Sequence, residues 1–162
     1  MSLTVRRATK RDLDDVVRIG MDSVRYHAMF EHTMQIPRNE HKKMRQRFEA
    51  TLAESNVSTL FVAEAQGHVA GFYSIYIQSI DDTWTPPLFV AGRYGLIAEV
   101  AVDKDARGRG IGRQLFAAVE QWFHERSAFA YWLIYLPHNP LSSKFWPALG
   151  FVPVWEVLLR EA

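Results

Sequence analysis

A chain of 162 residues that is 48% hydrophobic is long enough to bury one sizeable core, so the sequence predicts a single domain over residues 1–162. It contains no cysteine, which excludes a disulfide framework, a thiolate metal site and a cysteine nucleophile. The formal net charge is +1, whereas nucleic-acid-binding domains are usually strongly basic, so nucleic acid is not indicated as a ligand.

Neither a membrane anchor nor a metal site is expected. Residues 1–7 lack the apolar core of a signal peptide. The longest apolar run, Ala128 to Leu136, is too short to span a bilayer and is typical of a buried strand. The six histidines show no spacing typical of metal ligands. We therefore expect a cytoplasmic protein with no bound metal and no membrane partner.

The first third of the chain predicts a strand and two helices. The strand covers Leu3 to Ala8, and Thr9 is placed to cap the first helix. Apolar residues then recur at helical spacing: Leu13, Val16, Val17, Gly20, Met21 and Val24. After a less regular stretch from Tyr26 to Ile36, the second helix is predicted over Asn39 to Ala53.

The segment from Arg25 to Arg47 is basic, with six lysine and arginine residues and two glutamates. Two interpretations are open at this point. These charges can form a solvated helix face, or they can form a basic rim that favours ligands with a carboxylate or phosphate.

Three strands are predicted in the middle of the chain. Ser58 to Glu64 and Val69 to Gln78 are rich in β-branched and aromatic residues, and Gln66-Gly67 between them predicts a hairpin turn. Ser79 to Arg93 contains acidic residues and two prolines and is predicted as a loop, long enough to be functional. The next strand covers Tyr94 to Asp103.

That strand leads into a loop of glycines and arginines that opens a helix predicted over Gly110 to Arg126. Glycine lets the backbone approach a ligand closely, and the first N–H groups of a helix point outward, so the sequence predicts a phosphate or diphosphate site. The loop lacks the Gly-Lys-Ser/Thr ending of a P-loop. It also fails the dinucleotide pattern Gly-x-Gly-x-x-Gly, because Arg113 stands at the third glycine position.

The last part of the chain predicts a strand over Tyr131 to Leu136, a short helix and a final strand over Val152 to Leu159. Asn139 followed by proline predicts the start of the helix, and Pro147 predicts a kink or an end. The order β-α-α-β-β-β-α-β-α-β predicts a mixed α/β (α+β) domain with a central sheet.

Two motifs within this order resemble the GNAT superfamily of N-acetyltransferases. The first is Arg107-x-x-Gly110-x-Gly112, placed between a strand and a helix, which is similar to the family's acyl-CoA diphosphate loop. The second follows the family spacing Asn-x-x-Ala-x-x-Φ-Tyr-x-x-x-Gly-Phe, which this chain fills as follows: Asn139, Ser142, Phe145, Trp146, Gly150 and Phe151. The resemblance implies a mostly antiparallel sheet whose fourth and fifth strands are parallel and splayed apart to admit acetyl-CoA.

The resemblance also implies which residues bind the cofactor. The backbone of the fourth strand would pair with the pantetheine arm, the glycine loop would hold the diphosphate, and the second motif would complete the site. These cofactor-binding residues are Val100, Ala101, Val102, Arg107, Gly108, Arg109, Gly110, Ile111, Gly112, Arg113, Asn139, Ser142, Phe145 and Trp146.

Trp146 departs from the family pattern. Many members have a tyrosine there that can protonate the departing thiolate, whereas an indole N–H cannot serve as that acid. Tyr135 is the nearby replacement, with a core position as its alternative, and His138 is predicted to be a loop residue.

Glu99 is the candidate general base. It is the one carboxylate in the apolar run from Leu96 to Val102, and alternation along a strand places it on the face opposite Val100 and Val102. Burial would raise the pKa of its carboxyl and make it a better proton acceptor. The alternative is a solvated glutamate on a partly exposed face.

The resemblance implies direct transfer of an acetyl group to a primary amine of a small molecule or peptide. Two alternatives remain open: a non-catalytic acyl-CoA-binding module, which Trp146 favours, and a transferase that uses another acyl-CoA. The acceptor would be chosen by Tyr26 to Ala53 and Ser79 to Arg93, the least patterned parts of the chain. Trp84 and Phe89 in the second segment suggest an acceptor with an apolar or aromatic component, and a homodimer contact or surface packing accounts for them equally well.

Overall fold

The computed structural model describes residues 3–31, 35–54, 56–83 and 90–154. Within these ranges the chain forms five strands and four helices, joined by turns and short 3-10 segments. In chain order they are β1 (Leu3–Arg7), α1 (Leu13–Ala28), α2 (Glu40–Ala53), β2 (Ser58–Ala65), β3 (His68–Ile80), β4 (Gly92–Val102), α3 (Ile111–Glu125), β5 (Ala130–Leu133) and α4 (Ser142–Phe145).

The five strands form one sheet in the order β1-β2-β3-β4-β5. Neighbours from β1 to β4 are antiparallel, and β4 and β5 are parallel. Parallel neighbours need a crossover connection, and α3 provides it. The predicted α/β class, with a mostly antiparallel mixed sheet, is therefore confirmed.

Alternation of side chains along the central strands divides the core in two. Val62 of β2 and Phe72 of β3 pack with α1 and α2 on one face of the sheet. Their sequence neighbours Ala63 and Tyr73 pack with α3 on the other. Because successive side chains of a strand point to opposite faces, these two strands are buried on both sides and read as continuous apolar runs.

The start of α1 is held by a buried carboxylate. Asp12 accepts hydrogen bonds from the Thr9 N–H at 2.7 Å and from two guanidinium nitrogens of Arg6 at 2.8 and 2.9 Å. The hydrogen bonds from Arg6 are the main reason that the pKa of Asp12 falls to about 2. The predicted cap at Thr9 is confirmed with one difference, since a 3-10 turn at Lys10–Asp12 separates it from α1.

Several predicted boundaries are corrected by the pairing of the strands. β3 and β4 continue to a pair between Ile80 and Gly92, so the predicted loop from Ser79 to Arg93 is shorter than expected. α1 extends through Ala28, into the stretch predicted to be irregular. Trp84 and Phe89 lie outside the described residues.

The end of the chain differs from the prediction as well. Residues 152–154, at the start of the predicted strand from Val152 to Leu159, form no strand among the described residues, and residues 155–159 lie outside them. The turn at Gln66-Gly67 is confirmed, with φ values of +55° and +79°. The predicted end of the last helix is also confirmed, because α4 stops before Pro147.

Candidate active site

The sheet opens between β4 and β5. In the described part of the chain, these strands are paired only over Tyr94 to Ile97 and Ala130 to Leu133. Beyond that point β4 continues beside β3 to Val102, while the chain after Leu133 leaves the sheet. A cavity of about 610 Å³ lies along the opening. The splayed strands that the resemblance implied are therefore present, and β5 is shorter than predicted because the chain leaves the sheet after Leu133.

A bulge at Ala98 decides which way the end of β4 faces. The pairing with β3 passes from Ile97 to Glu99 and leaves Ala98 as the extra residue. Ile97 packs in the core beneath α3. Strict alternation would place Glu99 on that same side, but the extra residue directs it toward α2, where it contacts Arg47.

Glu99 lies in the cavity wall with 28% of its side chain exposed. The Arg47 Nε donates a hydrogen bond to its Oε1 at 3.1 Å. Burial raises the pKa of the Glu99 carboxyl, while the Arg47 charge works against this rise. As alternation predicted, Val100 and Val102 lie on the opposite face, with the residues that pack around α3.

The glycine loop passes twice through left-handed backbone. Gly108 has a φ of +76° and Gly110 a φ of +75°, values that glycine adopts without strain. The Gly110 carbonyl accepts a hydrogen bond from the Arg113 N–H at 3.1 Å, so α3 starts here. The N–H groups of Ile111 and Gly112 precede that bond, as the first N–H groups of any helix do, and both residues line the cavity.

Arg107 ties the loop to the rest of the site. Its Nε donates to the Val102 carbonyl at 3.2 Å. The guanidinium carbon lies 5.1 Å from the centre of the Tyr26 ring on α1, within the range of a cation–π contact. Arg107 therefore bridges the end of β4 and α1 beside the cavity.

Most of the predicted site residues meet in this cavity. Both predicted catalytic residues line it, Glu99 and Tyr135. The predicted cofactor residues that line it are Val100, Ala101, Val102, Arg107, Gly108, Gly110, Ile111, Gly112, Arg113, Asn139, Ser142, Phe145 and Trp146. Arg109 is exposed and does not line the cavity, because the loop turns its side chain away between two glycines.

The second motif forms the wall opposite the loop. Asn139 is buried, and its Oδ1 accepts a hydrogen bond from the Leu141 N–H at 3.0 Å, which fits the predicted cap. Phe145 contacts the loop directly, since a Cβ added to Gly112 would lie 3.1 Å from its ring. Trp146 is 4% exposed and packs edge-on against Phe151. The motif thus fixes both the turn into α4 and the position of α3 beside it.

One wall of the cavity was predicted only as a region, since Tyr26 to Ala53 was assigned to acceptor choice without naming the side chains that line the site. It consists of one face of α1 with two neighbouring side chains: Gly20, Ser23, Val24, Tyr26, His27, Arg47 and Phe72. The spacing of Gly20, Val24 and His27 places them on one helix face, which could have extended the predicted apolar face by one turn. Burial lowers the pKa of His27, so its imidazole is neutral at pH 7.

The two interpretations of the basic segment can now be compared. Among its lysine and arginine side chains, that of Arg47 lines the cavity. Arg25 instead pairs with Asp22 at 2.8 Å, and Arg45 pairs with Asp14. These pairs favour the solvated helix face for most of the segment.

His138 is exposed and does not line the cavity, in keeping with the predicted loop position. The described residues contain no cluster of side chains that could hold a metal ion. No helix among them is long and apolar enough to cross a membrane.

Residues 23–151, more than half of the chain, match the model of the acetyltransferase (GNAT) family. An uncharacterized N-acetyltransferase from Archaeoglobus fulgidus is 29% identical over 125 residues, which cover 77% of this chain and 76% of the relative.

Solved structures share the fold at lower identity. A mutant of the BH1408 protein from Bacillus halodurans has a TM-score of 0.84 and 22% identity, with 98% of this chain and 99% of that chain covered. A protein from Clostridium acetobutylicum, described as a predicted acetyltransferase and solved with acetyl-CoA, has a TM-score of 0.72 and 20% identity, with 99% of this chain and 96% of that chain covered.

Proposed function

Because the chain belongs to the GNAT family of acetyltransferases, we propose that it transfers an acetyl group from acetyl-CoA directly to a primary amine of a small molecule or peptide. The main support is one continuous cavity. It is lined by the glycine loop, by the end of β4 that no longer pairs with β5, and by the Glu99 carboxylate. The acetyl-CoA bound to the Clostridium acetobutylicum relative of the same fold supports the choice of donor.

The proposed cofactor site begins at the N-terminus of α3. Its first N–H groups and the positive end of its dipole favour an anion, and Arg107 and Arg113 add charge-assisted donors for a diphosphate. The pantetheine arm would then lie along Val100 to Val102, where β4 has left β5. Glu99 is three residues before Val102, so it lies about 10 Å along the strand from the end of β4 that leads to the loop.

In the proposed reaction, Glu99 acts on the acceptor amine. An alkylamine has a pKa of about 10.4 and enters as a cation, so it must lose a proton before its nitrogen can attack. Glu99 takes that proton, directly or through water, and the nitrogen bonds to the thioester carbonyl carbon. Backbone N–H groups between Val100 and Val102 would stabilise the oxyanion. The C–S bond then breaks, the nitrogen loses its second proton to leave a neutral amide, and CoA departs as a thiolate that takes up one proton to become the thiol.

Protonation of the leaving thiolate does not need Trp146. A thiol has a pKa near 8.5, so its thiolate is a fair leaving group close to neutral pH. Tyr135 lines the cavity and is the proposed proton donor where one is used. Burial of Trp146 against Phe151 favours a packing role for the indole.

Free thiol release from acetyl-CoA, followed with a panel of amino acids, polyamines, aminoglycosides and peptide N-termini, tests this proposal. We expect turnover with at least one class of amine. Tight acetyl-CoA binding with no thiol release across the panel would favour the non-catalytic binding module, which Trp146 supports as the second candidate. Faster turnover with succinyl-CoA or a longer acyl-CoA would assign a different donor. A cytoplasmic location and a homodimer remain predictions.

A further inference from the structure

A single guanidinium joins two carboxylates at the cavity wall. The Arg47 Nε donates to Glu99 at 3.1 Å, and one of its Nη atoms donates to the Glu40 Oε1 at 2.9 Å. Glu40 is the first residue of α2, and Arg47 follows two helical turns later on the same face. The Glu40 side chain is 13% exposed and that of Glu99 is 28% exposed, so both carboxylates are shielded from solvent.

The three groups carry one net negative charge when both carboxylates are ionised. If Glu99 takes a proton, Glu40 and Arg47 remain as a balanced ion pair. In a simple Arg47–Glu99 pair, the same step would remove the attraction between the carboxylate and a guanidinium that is 46% exposed, and this loss opposes protonation of Glu99. The third group therefore makes proton uptake by Glu99 compatible with a fixed arginine.

We propose that Glu40 and Arg47 are positioning residues for Glu99, a role that rests on the proposed function. Arg47 orients the Glu99 carboxylate in the cavity wall. Glu40 keeps Arg47 in place and compensates its charge while Glu99 holds the proton taken from the acceptor. The proton moves from the ammonium nitrogen to a Glu99 oxygen, which leaves a neutral amine able to attack and a neutral carboxylic acid, and it returns to solvent after turnover.

The surrounding charges act on Glu99 in opposite directions. Burial raises the pKa of its carboxyl, Arg47 lowers that pKa, and Glu40 raises it again. From other elements, the titratable or charged groups that line the same cavity are His27, Tyr26, Tyr135, Arg107 and Arg113. Burial lowers the pKa of His27, so this imidazole gains its charge at a lower pH than an ordinary histidine does.

The test compares R47M and E40Q with the wild-type enzyme. R47M removes the attracting cation and should move the acidic limb of kcat/KM to higher pH, by about one unit. E40Q removes the repelling carboxylate, so Arg47 then pairs with Glu99 only and lowers the pKa of its carboxyl further. The acidic limb should move to lower pH, and the plateau rate should fall because Glu99 becomes a weaker base. R47K keeps the charge and should return the limb toward its wild-type position. E49Q, on the solvent side of α2, should change nothing.

A second readout does not depend on turnover. Carbon-13 NMR titration of the Glu99 carboxyl, assigned with E99Q, should show the same opposite shifts in R47M and E40Q. Equal titration in all variants, or shifts in the same direction, would overturn the proposal even if the enzyme is active. Opposite shifts without thiol release from any amine would support the positioning roles and count against the transferase. Thermal melts identify any variant that has lost its fold, and R47Q, which also removes the positive charge, then replaces R47M.

Discussion

The two halves of the cavity are built in different ways. The half proposed to bind acetyl-CoA, the cofactor half, is lined by two short, continuous segments, 100–113 with its three glycines and 139–146. The half proposed to bind the amine, the acceptor half, is lined by residues of α1, α2 and β4 that are far apart in the chain: Tyr26, His27, Arg47 and Glu99. A backbone site requires particular residues at fixed spacing and so leaves a motif in the sequence, whereas a side-chain site assembled from distant elements leaves none.

The largest expected effect lies in the acceptor half. E99Q removes the proposed proton acceptor and keeps the size of the side chain, so kcat should fall by about 10²- to 10⁴-fold. The affinity for acetyl-CoA, measured by calorimetry, should stay unchanged because the two halves are separate. Full activity in E99Q would remove the carboxylate from the mechanism. E49Q is the control, since this side chain is on α2 but 49% exposed and away from the cavity.

The second prediction concerns the stability of α1, which lines the acceptor half, and not the chemistry proposed at Glu99. Asp12 fixes the start of α1 and has a pKa lowered from 3.8 to about 2, so the unfolded chain binds its proton more tightly. Its stabilisation is complete above about pH 4 and is lost as the pH falls through about 2. Because Arg6 is 35% exposed, D12N should cost no more than about 2 kcal/mol at pH 7, and much less near pH 2.

Urea unfolding of D12N and wild type at several pH values measures this difference. The activity of the folded fraction at neutral pH should be unchanged. A constant difference across the whole pH range would mean that Asp12 acts through packing and not through its charge.

The third prediction concerns the cofactor half and uses two glycines in the same conformation. Gly110 and Gly67 have φ values of +75° and +79°, and a Cβ would meet no atom within 4 Å at either position. G110A and G67A should each lose about 1 kcal/mol of stability, since an alanine in left-handed backbone is strained. G110A alone places a methyl group in the proposed diphosphate site, so its acetyl-CoA affinity should fall about tenfold, or about 1.4 kcal/mol. Equal affinities in the two variants would contradict the placement of the diphosphate.

The smallest effect is expected at Tyr135. Because the thiolate is a fair leaving group, Y135F should lower kcat by less than about tenfold. A larger loss, together with loss of the alkaline limb of the pH profile, would assign Tyr135 as the acid. W146F is the comparison, since it changes an aromatic side chain of the same cavity and removes no group able to protonate the thiolate.

Local patterns were sufficient for most of the fold. Helical spacing of apolar residues located α1 and α2, and two glycine-containing turns located the hairpin and the start of α3. The predicted ends of the strands were less accurate, because pairing with a neighbouring strand decides where a strand ends. The ladder between β3 and β4 continues to Ile80 and Gly92 because these strands face each other, and β5 ends at Leu133 because the chain there leaves β4, which stays paired with β3.

The sequence by itself determined the order of the elements, the two motifs and the position of a lone carboxylate beside them, because each of these depends on neighbours within a few residues. Only the tertiary structure decided what that carboxylate meets. The bulge at Ala98 turns Glu99 toward α2, and the packing of α2 on the sheet brings Arg47 and Glu40 to it. The contact between Arg47 and Glu99 joins residues 52 positions apart, and no local spacing rule connects them.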